Sequence, residues 1–174
     1  MADSTDTPLW ESETVLSAEW LSLKTGLEVE SCVANLDDGE HKGFSGAKLI
    51  KLNVVLKSGE TLKLVIKQVI GEMTTQSKTY GLAREALFYQ TMAKSLSVRM
   101  PKVYYSFGDW DTGIKVIIMD DLSSFIQAGY FFGPGNPANW GKDLPSLLKG
   151  STTEPTEVIR NAFLEAAKLH STYW

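Results

Sequence analysis

One lysine inside an otherwise apolar segment constrains the rest of this chain more than any other residue. Residues 62–69 read Leu-Lys-Leu-Val-Ile-Lys-Gln-Val, an alternating run that predicts a half-buried strand. Lys67 shares one face of that strand with Lys63 and Val65, so periodicity alone leaves two interpretations open. Lys67 is either a solvated edge charge or a partly buried ammonium group that needs a counter-charge.

Glu85 is the candidate counter-charge. It lies in a predicted helix over residues 80–96, where Glu85, Phe88, Tyr89 and Met92 share one side at steps of three and four. The alternative is a solvated helix charge. Because burying either charge alone is costly, we predict an ion pair between Lys67 and Glu85.

A glycine-rich connection precedes the lysine strand. Gly43-Phe44-Ser45-Gly46 joins predicted strands at 29–36 and 47–56. Small residues let backbone N–H groups approach a phosphate, and the Ser45 hydroxyl could donate a hydrogen bond to it. The other interpretation is a mobile hairpin loop, since the full G-x-G-x-x-G pattern is absent.

The remaining elements follow from periodicity and turn residues. We predict a helix over residues 17–24, a loop over 71–79, and strands at 103–108 and 114–119. The second of these strands is apolar on both faces and leads into Asp120, Asp121 and Leu122, a segment compatible with a helix cap or a turn.

The last part of the chain combines an aromatic insertion with a long helix. Aromatic side chains at residues 125–150 could line a pocket or pack in a core, and a short helix is predicted near residues 144–149. Pro155 begins the last helix. Because its apolar stripe needs a partner, we predict a homodimer or exchange of this helix between chains. The stripe consists of Ile159, Ala162, Phe163, Ala166, Leu169 and Tyr173.

The order of these features carries a family resemblance. The chain resembles the N-terminal lobe of the protein-kinase-like fold, which has a glycine loop, a strand lysine, a helix glutamate and an apolar strand in that order. Residues 119–122 are similar to the hinge of its small-molecule branch, and residues 166–170 to the first large helix after that hinge. That branch comprises aminoglycoside phosphotransferases, choline kinases and ecdysteroid-kinase-like proteins.

The resemblance implies an α+β fold, with a five-stranded antiparallel sheet and a packed helix. Residues 1–122 would form the N-terminal lobe. The small, polar residues 1–8 are predicted from their composition to be disordered. Residues 123–174 would supply the hinge, an insertion and the first helix of the C-terminal lobe.

The resemblance also implies roles for individual residues. The parent protein would transfer the γ-phosphate of ATP, or of another nucleoside triphosphate, to a hydroxyl group of a small molecule. Lys67 would hold the α- and β-phosphates and Glu85 would orient it. Three loop residues would cover the phosphates, and three hinge residues would seat the base through backbone groups. These are Gly43, Ser45 and Gly46 in the loop, and Asp120, Asp121 and Leu122 in the hinge.

The catalytic residues of this fold are not found in the sequence. The family uses a His-x-Asp type loop and a later aspartate that holds Mg²⁺, and neither Asp109 nor Asp143 has that pattern. We therefore expect a fragment that is inactive alone, with the Mg²⁺ ligands in the missing lobe. Two alternatives stay open: a nucleotide-binding pseudokinase or scaffold module, and a plain α/β interaction domain.

Composition excludes several other classes. A net charge of −4 does not favour nucleic-acid or membrane-surface binding, and no apolar run approaches the length of a membrane span. Cys32 is the only cysteine, so an internal disulfide is impossible. The polar start does not resemble a signal peptide, so a cytoplasmic location is expected. Neither His41 nor His170 indicates a metal site.

Overall fold

The computed structural model describes residues 17–35 and 47–173. The chain divides into two compact units. The first unit runs through Lys94 and resumes over Pro101–Asp121, whereas the second consists of Ser95–Met100 and the residues from Leu122 onward. The fold is α+β, and its sheet belongs entirely to the first unit.

The sheet has five antiparallel strands in the order β1-β2-β3-β5-β4. The five-stranded antiparallel arrangement predicted from the sequence is therefore confirmed. Strand β3, which carries Lys67, is the middle strand, and β5 is paired on both sides. The strands are β1 (Val29–Asn35), β2 (Lys48–Leu56), β3 (Thr61–Val69), β4 (Val103–Gly108) and β5 (Lys115–Asp120).

One face of the sheet carries the main hydrophobic core. Alternation in β2, β3 and β5 places a set of fully buried aliphatic side chains on this face. Helix α1 (Ala18–Thr25) covers them with Leu21. As predicted, Ser17 caps α1 through a hydrogen bond from the Trp20 N–H, and Gly26 ends it in the left-handed conformation. The aliphatic set is Ile50, Leu52, Val54, Leu64, Ile66, Val116 and Ile118.

The opposite face, here called the α3 face, receives helix α3 (Arg84–Thr91). Gly108 at the end of β4 permits this packing, since a Cβ there would lie 2.9 Å from the Ala83 carbonyl oxygen and 3.0 Å from the Ala86 Cβ. The Ser106 hydroxyl also donates a 2.8 Å hydrogen bond to the Ala86 carbonyl. The first turn of α3 is thereby held against the sheet.

Two predictions about the segment before α3 are wrong. The predicted loop over residues 71–79 contains a 3₁₀ turn (Gly71–Met73) followed by helix α2 (Thr74–Tyr80). The predicted helix over residues 80–96 is also too long. Gly81 ends α2 in the left-handed conformation, and α3 covers only the middle of the predicted range. The polar composition of α2 concealed it, since it has no apolar periodicity and buries only Ser77.

The second unit is built around short turns. Asn139 is buried and donates hydrogen bonds to the carbonyl groups of Gly129 (2.8 Å) and Gly133 (3.0 Å), which organises the segment predicted as an aromatic insertion. Phe125, Phe132 and Trp140 are exposed, so core packing is wrong for these three. The unit also contains α4 (Leu144–Leu147) and α5 (Pro155–Tyr173).

Helix α5 begins at Pro155, as predicted. Its predicted apolar stripe is exposed, and the Phe163 side chain is 74% accessible. The less exposed side chains of the helix are Val158, Glu165 and Lys168, and Glu165 accepts a 2.8 Å hydrogen bond from the Arg99 N–H. Association through the stripe stays a prediction.

Candidate functional site

Lys67 and Glu85 form the predicted ion pair, which is confirmed. The Lys67 Nζ lies 2.9 Å from Oε1 of Glu85 and 2.8 Å from Oε2, so the ammonium group contacts both carboxylate oxygens. The side chains are 24% and 33% exposed. Both members of the pair are thus partly shielded from solvent, and each side chain keeps some accessible surface.

A second lysine, which the sequence analysis missed, completes the cluster. Lys115 at the start of β5 is only 1% exposed, and its Nζ lies 3.0 Å from Oε2 of Glu85. The register pairs Lys115 with Val69 and Lys67 with Ile117, so both lysines point to the α3 face. We call Lys67, Glu85 and Lys115 the charge cluster.

The sequence did contain a signal for Lys115. Lys115 is predicted to share one face of its strand with Ile117 and Met119, and both faces of that strand are otherwise apolar. An ammonium group on such a strand requires a counter-charge, and Glu85 was already proposed as the partner of the neighbouring strand's lysine. The predicted pair could therefore have been extended to three residues.

The cluster perturbs the acid–base behaviour of its members. Burial alone would raise the pKa of Glu85, but hydrogen bonds and charges from Lys67 and Lys115 outweigh it and hold the pKa below 4.5. Burial lowers the pKa of Lys115, and the Glu85 carboxylate opposes that shift. Burial, followed by the Glu85 charge, raises the pKa of the nearby Tyr89.

These shifts predict a specific loss of stability in acid. A carboxyl with a lowered folded pKa stabilises the fold fully above its unfolded pKa, and that contribution disappears as pH falls through the folded value. For Glu85 the loss therefore occurs below about pH 4.5. We expect urea unfolding between pH 7 and pH 3 to show a smaller loss of stability for Glu85→Gln than for the unsubstituted chain. Parallel pH profiles would contradict this assignment.

The predicted hinge residues are partly engaged with the sheet. The N–H groups of Asp120 and Asp121 donate 3.0 Å hydrogen bonds to the carbonyl groups of Lys102 and Lys63, respectively. Of the three predicted hinge residues, only Leu122 has an N–H group that donates to no residue in the described ranges. The N–H groups of Asp120 and Asp121 are thus engaged in the sheet, and the prediction that backbone groups of these three residues seat a base stays a prediction.

The Asp120 side chain is also engaged. Its carboxylate accepts a 3.0 Å hydrogen bond from the Tyr104 hydroxyl and a 3.3 Å bond from the Lys102 N–H. Burial, then the hydrogen bond to Asp120, raises the pKa of Tyr104 to about 12. These contacts tie the end of β5 to β4 and account for Asp120 structurally.

The other candidate residues fall into two groups: three that the structure does not describe and two that stabilise local turns or caps. Gly43, Ser45 and Gly46 lie outside the described residues. Asp109 accepts hydrogen bonds from the Asp111 and Thr112 N–H groups in the β4–β5 turn. Asp143 caps α4 by accepting a bond from the Ser146 N–H. The last two carboxylates therefore serve local structure.

Comparison with known proteins adds no assignment: no protein-family model, curated protein or solved structure matches this chain. Within residues 17–35 and 47–173, no helix combines the length and apolar character needed to cross a membrane. Over the same ranges, no three His, Cys, Asp or Glu side chains form a group able to hold a metal ion.

Proposed function

We propose that this chain is the nucleotide-binding N-terminal lobe of a small-molecule phosphotransferase of the protein-kinase-like fold. The observation that carries the proposal is the contact of Lys67 with both Glu85 oxygens, from the middle strand of an antiparallel sheet to a helix packed on it. In such kinases this pair positions a lysine toward nucleotide phosphates. The order of the two residues in the sequence predicts the same pair.

Each group in the proposed site has a distinct role. The Lys67 ammonium group would bind the α- and β-phosphates of ATP, and Glu85 would orient it. Gly43, Ser45 and Gly46 would cover the phosphates, and backbone groups at Asp120 and Asp121, at the end of β5, would seat the base. In the parent protein, the γ-phosphate would pass to the hydroxyl of a small molecule, with Mg²⁺ bound by residues outside this set.

A nucleotide-binding module that transfers no phosphate is the second candidate. The chain has two histidines, and neither starts a His-x-Asp sequence. Phosphoryl transfer depends on positioning the hydroxyl and neutralising the developing charge. We therefore expect the 174-residue chain to bind ATP weakly and to show no turnover with Mg²⁺ and a panel of small alcohols.

Calorimetric titration with ATP tests the proposal directly. We expect a dissociation constant in the high micromolar range or weaker, a binding free energy of about −5 kcal/mol. Lys67→Met should weaken binding by about tenfold or more, because it removes the only lysine of the cluster whose side chain has substantial exposure. Lys57→Met is the matched control, since Lys57 is an exposed lysine in the β2–β3 turn.

Two results would overturn the proposal. Equal ATP affinities for Lys67→Met and Lys57→Met would remove Lys67 from the site. No measurable ATP binding by the unsubstituted chain would favour a plain α/β interaction domain. A parallel titration with GTP distinguishes the donor nucleotide.

A further inference from the structure

The charge cluster contains one more positive charge than the Lys67–Glu85 pair requires. Lys67 contacts both oxygens of Glu85, and Lys115 contacts Oε2 from the buried side. Two ammonium groups and one carboxylate leave a single positive charge over. Without Lys115, an anion approaching Lys67 would meet a pair with no net charge.

A purely structural role does not explain a lysine at this position. Lys115 is almost fully buried on β5, beside the fully buried Ile117 on the same face. Burying an ammonium group carries a large desolvation cost, and apolar residues often replace buried ion pairs without loss of stability. Packing alone would therefore be served at least as well by methionine or leucine.

Two further lysines occupy positions on the same face of the sheet as the cluster. Lys51 on β2 is the cross-strand partner of Val65, and Lys63 lies four residues before Lys67, so both occupy α3-face positions. The Lys115 side chain is 1% exposed and that of Lys67 is 24% exposed, so Lys67 is the lysine of the cluster that an anion could reach. An approaching anion would therefore meet the excess positive charge at Lys67, whereas Lys115, which supplies that charge, is buried.

We propose that Lys115 is a positioning residue that holds the Glu85 carboxylate from the buried side and makes the charge cluster a net-cationic site for a polyphosphate. This deepens the proposed function and rests on it. Lys115 would touch no phosphate itself. It would act by compensating Glu85, so that Lys67 can be fixed by a carboxylate and still attract an anion.

The first measurement needs no ligand. A ¹³C NMR titration of the Glu85 carboxyl should show that Lys115→Met raises its pKa toward the ordinary value, because one of two stabilising ammonium groups is gone. Lys57→Met should leave the titration unchanged. An unaltered Glu85 titration in Lys115→Met would overturn the positioning role.

The second measurement uses inorganic tripolyphosphate and ATP as probes over a range of salt concentrations. Lys115→Met should weaken tripolyphosphate binding by about tenfold and flatten its dependence on salt, because the site loses its net charge. A purely structural residue would alter thermal stability without changing that salt dependence. Lys57→Met should match the unsubstituted chain in both respects.

A double variant keeps the test decisive if Lys115→Met alone is unstable. Lys115→Met with Glu85→Gln leaves only the Lys67 charge, which restores the net charge of the original cluster. We expect its tripolyphosphate affinity to stay within about threefold of the unsubstituted chain. A folded double variant that binds no tripolyphosphate would overturn the charge argument.

The outcomes separate this inference from the function on which it rests. If ATP binds and needs Lys67, but Lys115→Met behaves like Lys57→Met, the inference fails and the proposed function stands. If tripolyphosphate binds in a Lys115-dependent manner but ATP binds no more tightly, nucleotide recognition fails and the anion site stands. If the unsubstituted chain binds neither probe, both fail.

Discussion

Glu85→Gln is expected to lower the free energy of unfolding by about 3 kcal/mol, the cost of leaving a buried charge without its partner. Glu85 is the shared partner of Lys67 and Lys115, and Lys115 is 1% exposed. The amide removes the negative charge and leaves two ammonium groups facing one another. Urea unfolding at pH 7, followed by circular dichroism, measures the change.

Two further variants identify the cause of that loss. Glu72→Gln makes the same chemical change at an exposed position of the first unit and should alter stability by less than about 0.5 kcal/mol. Adding Lys115→Met to Glu85→Gln should recover most of the loss, since the unpaired buried charge is then absent. If the double variant is no more stable than Glu85→Gln alone, the buried charge is not the cause.

Gly113→Ala is expected to destabilise the first unit by a comparable amount, about 3 kcal/mol. Gly113 has a φ of +80°, which costs an alanine roughly 1 kcal/mol. A Cβ there would also collide with the carbonyl oxygen of Thr74 and lie 2.8 Å from the Lys78 N. Because these are backbone atoms of α2, relieving the collision requires a shift of the helix or the hairpin, costing about 1–3 kcal/mol more.

Gly59→Ala is the matched control for Gly113→Ala. Gly59 has a φ of +86° in the β2–β3 turn, and a Cβ there would have no neighbour within 4 Å. Its destabilisation should therefore reflect the backbone conformation alone, about 1 kcal/mol. Equal urea midpoints for the two variants would show that the hairpin tip does not pack against α2 as described.

Much of the fold could be predicted, because the hydrophobic periods and capping residues of several segments favour the same elements that the tertiary structure contains. The alternation in residues 62–69 predicted β3 to within a residue, and Ser17 with Gly26 marked both ends of α1. Segments whose local pattern was weak were predicted wrongly. Helix α2 has a polar sequence that indicates a loop. It ends at the left-handed Gly81, and the turn at Gly113 lies against its backbone.

The candidate site was likewise predicted only in part. The order of Lys67 and Glu85 on a strand and a helix was sufficient to predict their ion pair, because a partly buried charge needs a partner. Lys115 was missed because its counter-charge is the carboxylate already assigned to Lys67, and only the strand register places both lysines beside Glu85. The donors at Asp120 and Asp121 could not be assigned either, because the acceptor of the first, Lys102, directly precedes β4 and that of the second, Lys63, lies on β3.

The sequence by itself determined the strand periods, the caps of α1, the start of α5 and the pairing of one lysine with one glutamate. These depend on neighbouring residues or on the general cost of burying a charge. Only the tertiary structure decided that Glu85 serves two lysines. Strand register places Lys115 beside Lys67 on the α3 face, and Gly108 lets α3 approach closely enough for one carboxylate to contact both. Register and helix approach depend on residues far apart in the chain, which no local pattern encodes.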